Sequence, residues 1–381
     1  AGVDRLASQK NLLPQLDIVN RSELSYTQEQ PQLPLHLKGL LTTPTGYLHI
    51  WINEVPLFTR TGIRVNTTNV DTTLSILLSP GENRVEVALS DAGGLESSRT
   101  PLFVNYPSSA ETGGRLYFAG IGINRFADSA HNLRWSVKDI RDLTETFRKK
   151  YGDRLVIADT LFDERVTVDN IIALKEKLKT GNHNDKVVIA YSGHGLLDQQ
   201  FDYYLSTYNI AFGNPSPNGL PYEQLENLLD GIPQRRKLLL IDACHSGEVD
   251  KEEFERIKQA SGGLATKGIT TKGGITESTD DGGRIGLQNS FELMQSLFIN
   301  VGRGTGATII SAAAGTQFAQ ERGTLGNGVF TYAILEALNQ QPEGIRISAL
   351  RQHVSRRVEQ LTNGLQQPTS RQETSEYDWE L

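Results

Sequence analysis

Two short stretches of this 381-residue chain hold residues whose types could do chemistry. The first, LLLIDACHSGE at 238–248, contains the chain's one cysteine. Four apolar residues lead to Asp242, a small residue, Cys244, His245 and then Ser246–Gly247. The second, VVIAYSGHG at 187–195, runs apolar in the same way and turns at Ser192, Gly193, His194 and Gly195. A thiol becomes a nucleophile at neutral pH only when a base or an electropositive setting draws off its proton. His245 is adjacent to Cys244, but neighbouring side chains on an extended segment point opposite ways. His194 is the better partner if the two stretches are adjacent parallel strands that surface at one edge. Flanking glycines leave main-chain N–H groups for a developing oxyanion and let a peptide backbone approach. A lone cysteine at a strand end is commonly a small apolar side chain and nothing more. The second box at a matching position argues against that here.

The elements around these stretches read as alternating strands and helices. RLYFAGIG, RLVIADTL, KVVIAYSG, KLLLIDA and ATIISAA are nearly continuous apolar runs. SVKDIRDLTETFRKK places Val137, Ile140, Leu143 and Phe147 on one helical face. VDNIIALKEKLK, YEQLENLL, FTYAILEAL and ISALRQHVSRRVEQL have similar helical patterns. Such alternation predicts an α/β fold, a mostly parallel sheet with helices on both faces and catalytic groups at the carboxyl ends of its strands. Residues 36–106 are different: short strands such as RVEVAL are separated by turn clusters, predicting a small all-β sandwich of immunoglobulin type. Residues 1–35 read as an extended lead-in and 107–114 as a linker. Residues 261–284 are rich in Gly, Thr and Ser and break the α/β rhythm as a mobile loop. GIGINR at 120–125 lacks the third glycine of a nucleotide-binding turn.

The bulk numbers exclude several classes. A 38% hydrophobic and 22% charged composition is that of a globular protein, and a net charge of −7 argues against a nucleic-acid partner. There is no apolar run long enough to cross a membrane and no signal-peptide pattern, so no membrane partner is expected. A single cysteine cannot form an internal disulfide, which points to the cytoplasm. The first residue is not methionine, so the chain reads as a processed product or part of something longer. No cysteine and histidine group has zinc spacing, and no metal site or cofactor is expected.

The pair YSGHG and DACHSG resembles the histidine and cysteine boxes of the caspase-like cysteine proteases, in the metacaspase and orthocaspase branch. The 50-residue gap between them agrees with the ~50 residues that separate these boxes in caspases. LYFAGIGINRF resembles the family's first strand, LRWSVKDIRDLTETF its first helix, and SAAAGTQFAQE with GNGVFTYAIL its small portion. The resemblance covers most of 115–381, divided into a large portion (115–260), the loop and a small portion (285–381). It implies a cysteine endopeptidase in which His194 is the general base and acid and Cys244 the nucleophile. The N–H groups of Gly195 and Cys244 would form the oxyanion hole. Asp139, Ser192 and Asp242 match the family's acidic pocket for Arg or Lys before the cut. Lys138 is expected to point away from that pocket. Lys267, Lys272 and Arg284 in the loop become candidate self-cleavage sites. The aspartate cluster of calcium-dependent relatives is not matched, since Asp198, Asp202 and Asp250 are too dispersed, and this speaks against calcium activation. Protein or peptide substrates are the expected partners, with a sensor domain upstream as a further possibility. The alternatives are a catalytically silent caspase-like scaffold, and a protease selective for acidic residues.

Overall fold

The computed structural model describes residues 13–108, 114–198, 200, 202–245, 265–266, 304–312, 320–322, 325–364, 366, 368–371 and 378–381. They fall into two compact units, the first comprising 1–114 with 304–306 and the second the remainder.

In the first unit, Gln15–Ile18, Gln32–Leu40 and Asn69–Leu77 pair antiparallel in one sheet. Gly46–Ile52, Gly81–Asp91 and Thr100–Tyr106 form the body of a second, also antiparallel. Leu33, Leu35 and Leu37 of one sheet share a core with Ile50, Val85, Val87 and Leu89 of the other. Glu86 and Ala88, which alternate with these valines in RVEVAL, are buried as well, so this strand is covered on both faces rather than one. The stretch read as an extended lead-in needs a correction. Leu16 and Ile18 bury alternate side chains, so Gln15–Ile18 joins the sheet, and the following strand starts at Gln32 rather than 36. Two apolar residues in four are too short a pattern to have announced a strand.

The second unit is built on strands β1 (Leu116–Gly122), β2 (Leu155–Phe162), β3 (Lys186–Leu197), β4 (Arg236–His245), β5 (Thr308–Ser311) and β6 (Thr369–Arg371). Their order is β2-β1-β3-β4-β5-β6. All neighbours are parallel except β5 and β6. Helices α1 (Ser136–Tyr151), α2 (Val168–Leu178), α3 (Tyr222–Leu229), α4 (Val329–Gln340) and α5 (Ile347–Thr362) match the five helical patterns of the sequence. Two cores result. Alternate residues Val188, Ala190, Leu238 and Leu240 pack with Ile140, Phe147, Phe330 and Val354. Val187, Ile189, Leu239 and Ile241 pack with Ile171, Leu174 and Leu228. Apolar content on both faces explains why these strands read as continuous rather than alternating runs. A short strand, Tyr203–Leu205, folds back antiparallel on the carboxyl end of β3, at Gly195–Leu197.

Candidate active site

β3 and β4 run in register over ten positions, from Lys186 opposite Arg236 to Gly195 opposite His245. Ser192 therefore stands opposite Asp242, and His194 opposite Cys244, near the carboxyl ends of both strands. β3 continues past this level to Leu197, whereas β4 is described to His245.

The backbone of His194 is held from the returning strand. Ser206 N–H donates to the His194 carbonyl at 2.9 Å, and His194 N–H donates to the Ser206 hydroxyl at 3.0 Å. The buried Tyr191 hydroxyl lies 3.1 Å from the His194 carbonyl and 2.8 Å from Ser206 Oγ. Burial holds that phenol well above the ordinary tyrosine range, so it stays a neutral hydrogen-bonding group. The glycines of this box have a different reason from the one read in the sequence. A Cβ on Gly195 would lie 2.0 Å from Tyr203 Oη, and one on Gly193 would lie 2.4 Å from Tyr191 Oη. Close packing by two tyrosines demands the glycines, whatever else approaches them.

The ring of His194 is 3% exposed, and its Nε2 lies 2.8 Å from the carbonyl oxygen of His131. A carbonyl only accepts, so Nε2 carries a hydrogen, and Nδ1 is the nitrogen that can take up and return a proton. His131 ends a 3₁₀ turn, Ser129–His131, capped by the Asp128 carboxylate on Ala130 N–H. The loop leading to it is organised by side-chain hydrogen bonds to its backbone. Asp163 accepts from the N–H groups of Asn124 and Arg125, and Asn132 Oδ1 accepts from Phe126 N–H. Asn124 Oδ1 in turn accepts from Val137 N–H at the start of α1. Phe126 and Phe212 each lie 5.2 Å from the His194 ring. The His131 ring is stacked on Phe212 at 3.5 Å. Burial lowers the pKa of His131, against a smaller opposing pull from Asp128.

The pocket residues also meet. Asp139, Ser192 and Asp242 are all buried. Asp139 Oδ1 accepts from Gly328 N–H and from Asn327 Nδ2, both at 3.0 Å, and its Oδ2 lies 3.4 Å from Ser192 Oγ. Asp242 Oδ2 accepts from Thr331 Oγ1 at 3.3 Å. A Cβ on Gly328 would sit 2.8 Å from Asp242 Oδ2 and 3.1 Å from Asp139 Oδ2, so the two carboxylates flank one spot beside that glycine. Carboxylates beside one spot repel each other when both are ionised. Lys138 does not serve them directly: its ammonium pairs with Asp142, four residues along α1. Asn327 Nδ2 also reaches Asp142 at 2.9 Å, tying the start of α4 to α1.

Asp198 lies in a tight turn, where its Oδ1 accepts from the N–H groups of Gln200 and Asp202. Among the described residues no three His, Cys, Asp or Glu side chains are grouped to hold a metal ion. No described helix is long and apolar enough to cross a membrane. Asp250, Lys267, Lys272 and Arg284 lie outside the described residues. His131, Tyr191, Ser206, Phe212 and Asn327 were not singled out from the sequence. Each acts through a partner between 3 and 188 residues away; Tyr191 lies in YSGHG and Asn327 in GNGVFTYAIL, but neither drew notice as a residue.

The profile of the caspase domain, peptidase C14, matches residues 120–377. A metacaspase-1 of the yeast Meyerozyma guilliermondii is 30% identical over 141 residues, covering 33% of this chain and 34% of that protein. The chain thus spans about a third of the length of that curated relative. The crystal structure of a Geobacter sulfurreducens protein aligns over 68% of this chain and 92% of its own, with a TM-score of 0.46 and 17% identity.

Proposed function

The chain belongs to the caspase-domain family of peptidases, and on that premise we propose that it is a cysteine endopeptidase cutting after Arg or Lys. The observation that carries this reading is the shared register of β3 and β4, with His194 opposite Cys244 and Ser192 opposite Asp242. In the proposed reaction His194 Nδ1 takes the proton of Cys244, and the thiolate attacks the scissile carbonyl carbon. The tetrahedral oxyanion is held by the N–H groups of Gly195 and Cys244. It collapses to a thioester as the C–N bond breaks, and His194 returns the proton to the departing amine. Water, deprotonated by the same imidazole, then attacks the thioester, releasing the acid and restoring the thiol. The His131 carbonyl fixes which ring nitrogen does this work and steadies the imidazolium formed on the way. Asp139 and Asp242 supply the negative charge that a basic side chain seeks, with Ser192 beside them.

Self-cleavage in 261–284, at Lys267, Lys272 or Arg284, belongs to the same reading, because such bonds suit an acidic pocket. So do a cytoplasmic setting, where a catalytic thiol stays reduced, independence from calcium, and control by a domain upstream. The test is a set of fluorogenic peptides identical except for Arg, Lys or Asp before the cut, assayed with wild type, Cys244→Ala and Asp242→Asn. Wild type is expected to cleave after Arg and Lys, Cys244→Ala to cleave nothing, and Asp242→Asn to lose about 100-fold or more in kcat/KM on basic peptides. Cleavage by the Cys244→Ala chain, or a preference for Asp, overturns the reading. Mass spectrometry of fully active enzyme that finds only intact chain removes the self-cleavage part.

A further inference from the structure

The imidazole of His194 hangs on a hydrogen bond whose acceptor sits in a turn open to solvent. The carbonyl belongs to a three-residue 3₁₀ turn, none of whose residues is buried. Turns of this kind are among the more mobile parts of a fold. A ring hydrogen bond is directional, so drift of the acceptor would rotate the ring away from its partner strand. Phe212 packs against the side chains of both residues that make this bond. Its ring lies flat against the His131 ring, with centroids 3.5 Å apart and planes 10° from parallel. It also meets the His194 ring at 5.2 Å and 85°. Phe126 completes the set, 5.2 Å from His194 and 5.4 Å from Phe212.

Phe212 is itself firmly held. It follows Ser206, the residue that pins the His194 backbone, in a segment fastened at several points. Thr207 Oγ1 reaches the Asn218 carbonyl, Tyr208 N–H donates to the Val166 carbonyl at 2.8 Å, and Ala127 N–H donates to the Tyr208 carbonyl at 2.9 Å. The segment from Ser206 to Phe212 therefore holds His194 twice, at its backbone through Ser206 and at its ring through Phe212.

We propose that Phe212 is a positioning residue for the imidazole of His194, clamping donor and acceptor of the His194–His131 hydrogen bond in one aromatic stack. The inference rests on the His–Cys reading for its kinetic consequence, but its geometric content stands apart from that reading. Phe212 has no group that can exchange a proton or attack a carbonyl. It keeps Nε2 on the carbonyl, so that Nδ1 faces the proton transfer in a fixed direction. Misplacing a proton-transfer group by about 1 Å can cost on the order of 100-fold in rate while substrate binding is untouched.

The experiment compares Phe212→Leu, which keeps apolar bulk but loses the flat ring, with Phe212→Tyr, which keeps the ring. Phe212→Leu is expected to lower kcat about 10- to 100-fold with KM within about twofold of wild type, and Phe212→Tyr to restore most of the loss. A second arm uses NMR of the full chain carrying Cys244→Ala, so that no proteolysis intervenes. The Nε2–H resonance of His194 is expected to be downfield and protected from exchange, and lost or broadened by Phe212→Leu. An unchanged kcat in Phe212→Leu overturns the proposal. So does a loss that Phe212→Tyr fails to rescue and that follows a fall in melting temperature, because that is a packing defect. If wild type cleaves no peptide, the peptidase reading fails, and the NMR arm alone decides whether Phe212 positions the ring.

Discussion

A nearly water-free histidine that takes up a proton, as the proposed reaction asks of His194, needs compensation from its surroundings. At His194 that comes from a carbonyl dipole at 2.8 Å and two aromatic rings at 5.2 Å, rather than from a carboxylate on Nε2. The acids sit elsewhere, around Gly328. That glycine has φ −57°, which any residue adopts, so a side chain there meets an obstacle of space alone. Gly328→Ala would push a methyl group between the Asp139 and Asp242 carboxylates. Its expected effect is a rise of about tenfold in KM for Arg and Lys peptides, with the rate of Cys244 alkylation by iodoacetamide nearly unchanged. Steady-state kinetics and timed alkylation check it. Which residue types could react was legible in the sequence, because YSGHG and DACHSG each set polar residues after an apolar run, although both read as turns and are strand through Gly195 and His245. What holds them was not. His131 contributes a main-chain carbonyl, which no side-chain pattern encodes, and Phe212 is one loop aromatic among many until the chain folds.

At the scale of the element, helices and strands were legible wherever burial imposed a period. β4 is the instructive case, since a lysine stands directly before its apolar run. Lys237 is buried, with its ammonium 3.1 Å from the Leu229 carbonyl at the end of α3. Lys175 reaches the Asn227 carbonyl of the same helix. Two ammonium groups thus meet the negative end of α3, where carbonyls lack helical partners. Burial, only partly opposed by Asp230, pulls the Lys237 pKa down to about 7 from the ordinary 10.5. The unfolded chain therefore binds more protons than the folded one between these values, and stability rises with pH across that window. The contribution is complete above the unfolded value and is lost as pH falls through about 7. Lys237→Met is expected to flatten this slope, as read from urea midpoints between pH 7 and pH 10. The sequence placed a lysine at the head of a strand. It could not say that the head lies beneath a helix end.

On the scale of the whole molecule, each of the two units has its own core, and the second closes on its own carboxyl-terminal residues. Ile345 and Leu381 exchange backbone hydrogen bonds at 3.0 and 2.8 Å, and Asp378 accepts from Ser348 N–H at the start of α5. Trp379 and Leu381 are buried in the core shared by α4 and α5. Trp379→Ala is expected to destabilise the second unit by about 3 kcal/mol, measured by chemical denaturation. The stretch EYDWEL alternates Tyr377, Trp379 and Leu381 with acids, a period-two pattern too short to announce this burial.

The pairing of β3 with β4 has one more consequence if the proposed pocket is right. The level of Ser192 and Asp242 lies two residues below that of His194 and Cys244 on both strands, which the pleat sets at about 6.6 Å. The sheet then acts as a gauge of side-chain length. Lysine spans such a gap when extended, and ornithine, one methylene shorter, stops short of the acid despite carrying the same charge. Peptides differing only in lysine or ornithine before the cut are expected to differ about tenfold or more in kcat/KM, a discrimination fixed by the step of a β-strand.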